Sequence, residues 1–373
     1  MTIGVVLRVV FAGLGVALAS AVLLVTVISL LPGHSWAQER AGIEWTNQGP
    51  RIAVVAVVAV ILACVGAPTW RSRVVLAAVT GLAVVGASVQ LGRVVTAVHR
   101  AGGSIDLVSV LRQRQAPAPE PDVWAVYRHV DGQDLRLAIW KPDVRNARVI
   151  FAIHGGGWFS GQATDEAPDA AWWTARGWLV VSVDYRLADK THATWDKAPA
   201  DVADALRWTT ANVARYGGDP GNIIVMGGSA GGNLAINLAY STNVAKAVVA
   251  SVPVVDPQDA YDHGVAMSGS DPKEFIGNYL GGAPARYPDR LRAISSATYI
   301  GPGAPPTLII EPEEDGFIPS EGVFAFADRA RKAGVDMTIV RLPVVNHFSA
   351  YADSLAGQAN RTIAAAYLER LLN

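Results

Sequence analysis

Three uncharged apolar runs occupy the amino-terminal third of the chain, at residues 9–31, 52–68 and 74–92. An α-helix rises 1.5 Å per residue, so about 20 apolar residues span the roughly 30 Å hydrocarbon core of a bilayer. Each run is close to that length. A cleaved signal peptide would explain the first run by itself, but it does not explain the two runs that follow. The sequence therefore predicts a transmembrane region over residues 1–92, with a tight hairpin between its second and third helices.

The composition agrees with a membrane location and excludes several other classes of protein. Hydrophobic residues make up 51% of the chain and charged residues 17%, whereas roughly 25% of a soluble protein is charged. The formal net charge of −1 provides no basic surface for nucleic acid, which binds clustered Lys and Arg. Cys64 is the only cysteine, so the chain can form neither an intramolecular disulfide nor a cysteine-based metal cluster.

The positive charges that flank the apolar runs are consistent with two orientations. With a cytoplasmic amino terminus, the cytoplasmic side holds Arg8, Arg71 and Arg73. The reverse orientation gives the cytoplasmic side a larger set: Arg40, Arg51, Arg93, Arg100, Arg112 and Arg114. We expect a multi-pass protein of the cell membrane, and the larger count favours a cytoplasmic carboxy-terminal domain.

A polar segment at residues 93–121 follows the last apolar run and is predicted to be a linker. It contains a candidate interfacial helix at residues 105–111 and ends in the sequence Ala-Pro-Ala-Pro-Glu-Pro at 116–121. Pro-rich sequences are extended and semi-rigid. The domain boundary is therefore expected within this segment.

From residue 122 to residue 373, strand-like apolar runs alternate with helical patterns. This alternation is typical of an α/β domain with a mainly parallel sheet covered by helices on both faces. The predicted strands lie at residues 124–130, 135–140, 149–153, 178–183, 223–226, 247–252, 307–310 and 337–341. Helices are predicted at residues 201–214, 322–333 and 350–372. Residues 258–304 interrupt the alternation, and we expect this insertion to form a lid or cleft wall at the carboxyl ends of the strands, where ligands bind in such sheets.

A Gly-x-Ser-x-Gly sequence lies directly between a predicted strand and a predicted helix. It reads Gly-Gly-Ser-Ala-Gly at 227–231, after the apolar residues 223–226. Glycines permit a cramped turn that places Ser229 at the end of the sheet, and the helix start behind it favours developing negative charge. Glycine-rich turns of this kind also bind phosphate or only pack tightly. Ser229 is therefore a candidate nucleophile that needs further support.

The second motif, His-Gly-Gly-Gly-Trp at 154–158, follows the predicted strand at 149–153. Its glycines allow backbone N–H groups to point into a site. With the N–H of Ala230, those of Gly156 and Gly157 can form an oxyanion hole for a tetrahedral intermediate. His154 is interpreted as a residue that holds this loop rather than one that transfers protons. Both motifs together make a chance match improbable.

A catalytic serine needs a general base, and in this arrangement the order along the chain is Ser, then Asp or Glu, then His. Only His263 and His347 follow Ser229 among the histidines. His263 lies in the insertion and precedes the strand that should carry the acid. His347 follows the last predicted strand, and its side chain type titrates near neutrality, as a general base requires. We therefore select His347.

The acid is expected on the loop after the strand at 307–310, where several carboxylates compete: Glu311, Glu313, Glu314 and Asp315. Its function is to fix the imidazole tautomer and stabilise the imidazolium, which a short and well-held carboxylate does best. Asp315 is selected on this ground. Glu311 remains the main rival.

These motifs resemble the esterase and lipase branch of the α/β-hydrolase superfamily, including the hormone-sensitive-lipase-like and related carboxylesterase families. The resemblance covers residue 122 to the carboxy terminus. It includes Asp-Tyr-Arg-Leu-Ala at 184–188 and Tyr-Gly-Gly-Asp-Pro at 216–220 in addition to the two motifs above. It implies an α/β-hydrolase fold with a Ser-Asp-His triad, in which Tyr185 and Arg186 brace the site.

Two departures from the hormone-sensitive-lipase pattern are informative. Gly228 stands where those proteins usually carry Asp in Gly-Asp-Ser-Ala-Gly, and Glu-Pro-Glu at 311–313 stands where they place the acid in Asp-Pro-Leu. The sequence Asp-Gly-Phe-Ile-Pro at 315–319 instead is similar to the Asp-x-x-Val-Pro acid loop of the broader esterase group. This similarity supports Asp315.

Together the residues predict a membrane-anchored serine hydrolase that cleaves a small-molecule or lipid-like carboxylic ester through an acyl-enzyme. No metal or organic cofactor is expected, because no H-E-x-x-H or other spaced ligand set occurs. The same residues would suit an amidase, a peptidase or an acyltransferase. A receptor or scaffold without catalysis is the alternative from another class, and the complete set of triad residues argues against it.

Overall fold

The computed structural model describes residues 3–31, 35–112, 118–267, 269–343, 346–348 and 353–372. The chain forms two compact units. The helical unit comprises Met1–Gln115 and Leu342–Ala366, and the sheet unit comprises Ala116–Arg341 and Tyr367–Asn373. A segment that follows the last strand therefore belongs to the unit formed by the amino-terminal helices.

The helical unit begins with helices α1 (Ile3–Ile28), α2 (Trp36–Gly66), α3 (Trp70–Arg100) and α4 (Leu107–Arg112). Within the described ranges, α1, α2 and α3 are the three helices long and apolar enough to cross a membrane. The predicted number of long apolar helices is confirmed.

The bounds of the second and third helices differ from the sequence prediction. Helix α2 begins well before residue 52, because Ser35 caps its start by accepting a hydrogen bond from the Gln38 N–H. Helix α3 continues past residue 92 to Arg100, so part of the predicted linker is helical. Hydropathy marks the length that suits lipid, whereas a helix extends as far as its caps and packing allow. Of the predicted linker, residues 113–117 lie outside the described ranges.

Small residues bring the backbones of α1 and α2 into close contact. A Cβ atom added to Gly15 of α1 would lie only 2.6 Å from the Ala59 carbonyl oxygen and 2.5 Å from the Ala63 nitrogen of α2. Close approach through small residues is the packing mode that apolar helices use in lipid, where the hydrophobic effect does not drive association.

The sheet unit contains eight strands in the order β1-β2-β4-β3-β5-β6-β7-β8. Their bounds are β1 Val123–Val130, β2 Gln133–Trp140, β3 Ala147–Ile153, β4 Leu179–Val183, β5 Gly218–Gly228, β6 Ala247–Ser251, β7 Thr307–Pro312 and β8 Met337–Leu342. Strand β2 pairs antiparallel with β1 and β4, and the pairs that link β4, β3, β5, β6 and β7 are parallel. The predicted α/β class with a mainly parallel eight-stranded sheet is confirmed.

Helices follow the strands along the chain. They are α5 (Ala167–Thr174), α6 (Lys197–Asn212), α7 (Ala230–Ser241), α8 (Pro257–His263), α9 (Pro272–Leu280), α10 (Pro288–Ile294), α11 (Ser320–Lys332) and α12 (Leu355–Leu372). Residues 350–352 of the predicted last helix lie outside the described ranges. Strands β3 and β4 are apolar and buried along nearly their whole length, as expected for parallel strands covered on both faces.

The segment between β6 and β7 contains α8, α9 and α10. Helix α9 packs on the loop that follows β3: Tyr279 stacks on Trp158, with ring centroids 4.3 Å apart, and Phe275 lies 5.9 Å from the same indole. This insertion therefore covers the residues after Ile153, at the carboxyl end of the sheet.

Candidate active site

Ser229 occupies the turn between β5 and α7 in a strained backbone conformation. Its φ is 53° and its ψ is −122°, a region that costs an L-residue about 1–3 kcal/mol. The turn is held by its own backbone. The Ser229 N–H donates to the Ser251 carbonyl at 2.9 Å, and its carbonyl accepts from the Asn233 N–H at 3.1 Å. The sheet thus fixes a serine that is only partly buried at the end of its central strand.

The two outer glycines of the motif are required by close backbone contacts. A Cβ atom on Gly227 would collide with the backbone of Gly231, and one on Gly231 would collide with the carbonyls of Ile153 and His154. No side chain fits at either position. The Gly-x-Ser-x-Gly sequence therefore forms the tight strand-to-helix turn that its pattern predicts.

The loop after β3 runs beside this elbow. Gly156 and Gly157 have φ values of +98° and +59°, which glycine adopts without strain. A Cβ atom built on the preceding Gly155 would lie 3.6 Å from the Ser229 Cβ. Within the described part of the chain, the N–H groups of Gly156, Gly157 and Ala230 form no hydrogen bond. Three donors close to one serine can bind an oxyanion.

His154 holds this loop from within. It is 1% exposed, its ring stacks on Tyr185 with centroids 4.3 Å apart, and the Tyr185 hydroxyl donates to the His154 carbonyl at 3.0 Å. Burial lowers the pKa of His154, so the ring is neutral and its Nδ1–H can donate to the Gly155 carbonyl at 2.8 Å. These contacts support the interpretation of His154 and Tyr185 as structural residues.

Arg186 braces the segment after β4 through paired hydrogen bonds. Its Nε and Nη2 each donate at 2.8 Å to a different oxygen of Asp201, whose side chain is fully buried in α6. Its Nη1 donates to Asp131 at 2.8 Å. A two-point guanidinium–carboxylate contact fixes orientation as well as distance. The partners of Arg186 support a bracing role.

Asp315 lies on the turn after β7 and is fully buried. Its Oδ1 accepts hydrogen bonds from the N–H groups of Phe317 and Ile318 at 2.9 and 3.1 Å. Its own N–H donates to the Ser320 Oγ at 2.8 Å. Backbone donors therefore hold a short carboxylate at the same end of the sheet as Ser229, with β6 between the two strands that carry them.

Glu311, the rival acid, is a residue of β7 itself and is also fully buried. Neither of its carboxylate oxygens has a hydrogen-bond partner among the residues that the structure describes. Burial, and then the nearby charge of Asp315, raise the pKa of Glu311 well above its ordinary value. Glu311 therefore holds its proton more tightly than an ordinary glutamic acid does, which makes it a poorer partner for an imidazolium.

Because the pKa of Glu311 is raised in the folded chain, the free energy of unfolding depends on pH, and the direction of this dependence can be predicted. Above the ordinary value of 4.5, the unfolded chain releases the Glu311 proton while the folded chain keeps it, so this group lowers stability as pH rises. We therefore expect Glu311→Gln, which cannot ionise, to gain stability relative to the wild type as the pH rises above about 4.5, the ordinary pKa of the group. Melting temperatures of both proteins in detergent, measured over a series of pH values, test this. A difference that stays constant with pH would contradict a raised pKa of Glu311.

His347 follows β8 and belongs to the helical unit, together with Asn346 and Phe348. Its ring makes an edge-on contact with Phe348, with centroids 5.4 Å apart. The sheet unit thus contains the predicted nucleophile, acid and oxyanion donors, and the helical unit contains the predicted base. The structure describes no group of three or more His, Cys, Asp or Glu in these ranges that could hold a metal ion.

The sequence analysis did not predict the aromatic side chains, Phe275 and Phe317, that lie beside the glycine loop after β3. Gly157 lies so near Phe275 that an added Cβ would be 3.0 Å from its ring, and Phe275 packs on Phe317 with centroids 5.8 Å apart. Phe317 follows Asp315 closely, so one apolar surface connects the loop after β3, the insertion and the turn after β7. The signal that could have indicated it is the spacing of Phe275 and Tyr279, which are four residues apart in the insertion.

The sheet order, the strained serine and the adjacent glycine loop define an α/β-hydrolase of the esterase and lipase type. More particularly, the chain belongs to the BD-FAE family, whose profile matches residues 137–329. The matched region contains Ser229 and Asp315 but ends before His347.

Named relatives are esterases. The chain is 31% identical to Esterase LipQ of Mycobacterium tuberculosis over 239 residues. This matched region covers 58% of this chain and 54% of LipQ. An esterase of the Planctomycetes species Thermogutta terrifontis, Est2, superposes with a TM-score of 0.56 at 27% identity, covering 68% of this chain and 94% of Est2. The same esterase phosphonylated by sarin gives a TM-score of 0.57 at 26% identity, covering 69% and 98%. The chain spans 54% to 60% of the length of the mycobacterial esterases LipQ and LipC.

Proposed function

We propose that this protein hydrolyses carboxylic esters, with Ser229 as nucleophile, His347 as general base and Asp315 as the acid that orients it. The observation that carries the proposal is the strained Ser229, which has the unengaged N–H groups of Gly156 and Gly157 in the adjacent loop and that of Ala230 directly after it. A backbone conformation of this cost persists where function uses it. The names of the esterase relatives support the same reaction.

The proposed reaction proceeds in two halves. His347 accepts the Ser229 hydroxyl proton as Oγ bonds to the ester carbonyl carbon, and the N–H groups of Gly156, Gly157 and Ala230 stabilise the resulting oxyanion. The C–O bond to the alcohol then breaks as His347 returns the proton to the departing oxygen. In the second half His347 deprotonates water, whose oxygen bonds to the acyl carbon. The bond from Ser229 Oγ to that carbon then breaks as His347 returns the proton to Oγ, which releases the acid and regenerates Ser229.

The substrate is proposed to be an apolar or lipid-like ester. The insertion at 258–304 supplies Phe275 beside Gly157, and Phe159, whose side chain is 40% exposed, borders the same loop. Aromatic walls of this kind bind acyl or alcohol groups without directional contacts. We assign this insertion, within a catalytic domain at 122–373, to the substrate cleft.

We further propose that α1, α2 and α3 anchor the protein in the membrane as a multi-pass protein. Their length and hydropathy support this, and the larger arginine count favours a cytoplasmic catalytic domain. Protease digestion of intact and lysed cells tests the orientation. Cleavage of the sheet unit in intact cells would place it outside.

The function is tested with the full chain in detergent, because residues after β8 belong to the helical unit. We expect hydrolysis of p-nitrophenyl esters from acetate to palmitate, and loss of activity after treatment with an organophosphonate that mass spectrometry locates on Ser229. The p-nitroanilides of the same acids, and an added alcohol acceptor, distinguish an amidase or an acyltransferase. A chain that neither turns over these esters nor takes the label would contradict the proposal.

A further inference from the structure

We propose that the amino-terminal part of α2 positions the catalytic histidine: Glu39, Thr46 and Asn47 hold the residues on both sides of His347. The inference rests on the proposed function for the identity of His347 as the base. The contacts themselves lie within the helical unit.

The residue before His347 is held at two points. The Asn346 N–H donates to the Thr46 Oγ1 at 2.7 Å, and the Asn346 Nδ2 donates to the Glu39 Oε2 at 2.5 Å. Thr46, Glu39 and Asn346 are buried, at 0%, 3% and 5% exposure. Both the backbone and the side chain of Asn346 are therefore bound to the same helix.

The residue after His347 is held by the same helix. The Asn47 Nδ2 donates to the Phe348 carbonyl at 3.1 Å, and also to the Ile43 carbonyl of its own helix at 3.0 Å. The Phe348 N–H in turn donates to the Asn346 Oδ1 at 3.3 Å. His347 thus lies at the centre of a short turn whose two flanking residues are fixed to α2.

Helical spacing explains how one helix provides these contacts. Glu39, Gly42 and Thr46 follow one another at intervals of three and four residues, which places them on one face. A Cβ atom added to Gly42 would be 3.4 Å from the Asn346 Cβ, so the loop rests directly on this face. Thr46 donates its own hydroxyl proton to the Gly42 carbonyl at 2.8 Å, which leaves its oxygen to accept from Asn346.

These polar groups have no evident role in simple packing. Burying a carboxylate and two amides is costly unless each is hydrogen-bonded, and apolar residues would join a helix to a loop more simply. Hydrogen bonds, unlike apolar contacts, fix the orientation of the turn that carries His347. A general base must be held to within about 0.5 Å of its working position, and a misplacement of about 1 Å can cost 10²-fold in rate.

The same helix carries the second predicted membrane segment. Helix α2 continues without interruption from Thr46 through Pro50 into the apolar stretch that ends at Gly66. The histidine turn is therefore attached to a helix that can cross a membrane, and catalysis is expected to depend on the helical unit and not only on the sheet unit.

Thr46→Val is the sharpest test, because valine keeps the shape of threonine and removes the hydroxyl. In the full chain we expect kcat on p-nitrophenyl esters to fall about 10²-fold with KM little changed, and Thr46→Ser, which keeps the acceptor, to recover most of the activity. Thr80→Val is the matched control. Thr80 is also fully buried, and its hydroxyl donates to the Leu76 carbonyl of its own helix at 2.7 Å.

A second readout does not depend on activity. In a Ser229→Ala background, we expect diethyl pyrocarbonate to modify His347 several-fold faster in Thr46→Val than in Thr46→Ser or Thr80→Val, with melting temperatures measured in parallel. Unchanged kcat and unchanged His347 modification would overturn the positioning role. An equal loss of kcat in Thr80→Val would do the same. Esterase activity that survives Ser229→Ala would instead overturn the proposed function, while the modification rates would still decide the role of α2.

Discussion

Replacing Ser229 with alanine is expected to lower kcat for ester hydrolysis by about 10⁶-fold, because nucleophile and base act as one unit in such triads. The fold should be retained. Alanine is compatible with the space that Ser229 occupies, and the turn is held by backbone hydrogen bonds to Ser251 and Asn233 that do not use the side chain. Burst and steady-state release of p-nitrophenol from the purified full chain measure the effect.

The matched control for this prediction is Ser241→Ala. Ser241 lies at the end of α7, the helix that Ser229 precedes, and its hydroxyl donates to the Asn237 carbonyl at 2.7 Å within that helix. This variant should retain activity within about twofold, because a surface hydroxyl bonded to its own helix contributes little. If Ser229→Ala kept more than a few per cent of the wild-type rate, another residue would have to be the nucleophile.

The second large effect is expected at Asp315. Asp315→Asn should lower kcat by about 10⁴-fold, because an amide cannot stabilise the imidazolium and favours the wrong tautomer of the base. Glu311→Gln should lower kcat only a few-fold, since burial raises the pKa of Glu311 and its carboxylate oxygens have no hydrogen-bond partner among the described residues. Steady-state kinetics of both variants at the same pH provide the comparison.

Asp315 and Glu311 are neighbouring buried acids, so the Asn or Gln variant of each is a control for the variant of the other. Both are fully buried, and each substitution exchanges one oxygen for an amide nitrogen. A large loss at Glu311→Gln with a small loss at Asp315→Asn would transfer the acid role to Glu311. Equal losses would indicate a structural effect of replacing either buried acid, and melting temperatures would then show it.

The proposed triad is divided between the two units, because Ser229 and Asp315 belong to the sheet unit and His347 to the helical unit. A simple anchor would leave the catalytic residues in one domain and the apolar helices in another. Here His347 belongs to the same unit as α2, and residues of α2 form hydrogen bonds with Asn346 and Phe348 on either side of it. We therefore expect the proposed catalytic role of His347 to depend on the helical unit.

The sequence alone predicted the features that depend on neighbours along the chain. The strands of the sheet were read from short apolar runs, and the elbow at 227–231 and the loop at 154–158 were read from their clustered glycines. Their geometry agrees with that prediction: Gly227 and Gly231 meet backbone where a Cβ would be. Local steric rules of this kind are encoded residue by residue.

The tertiary structure decided the features that depend on distant residues. The raised pKa of Glu311 comes from burial in β7 beside Asp315, and the hydrogen bonds to Asn346 and Phe348 come from residues about 300 positions earlier in the chain. The start of α2 at Trp36 was not predicted from hydropathy, because polar residues precede the apolar stretch of this helix. The chemical types of Ser229, Asp315 and His347 were determined by sequence, whereas the hydrogen bonds that support the residues around them were decided by packing, since burial and long-range hydrogen bonds exist only in the folded chain.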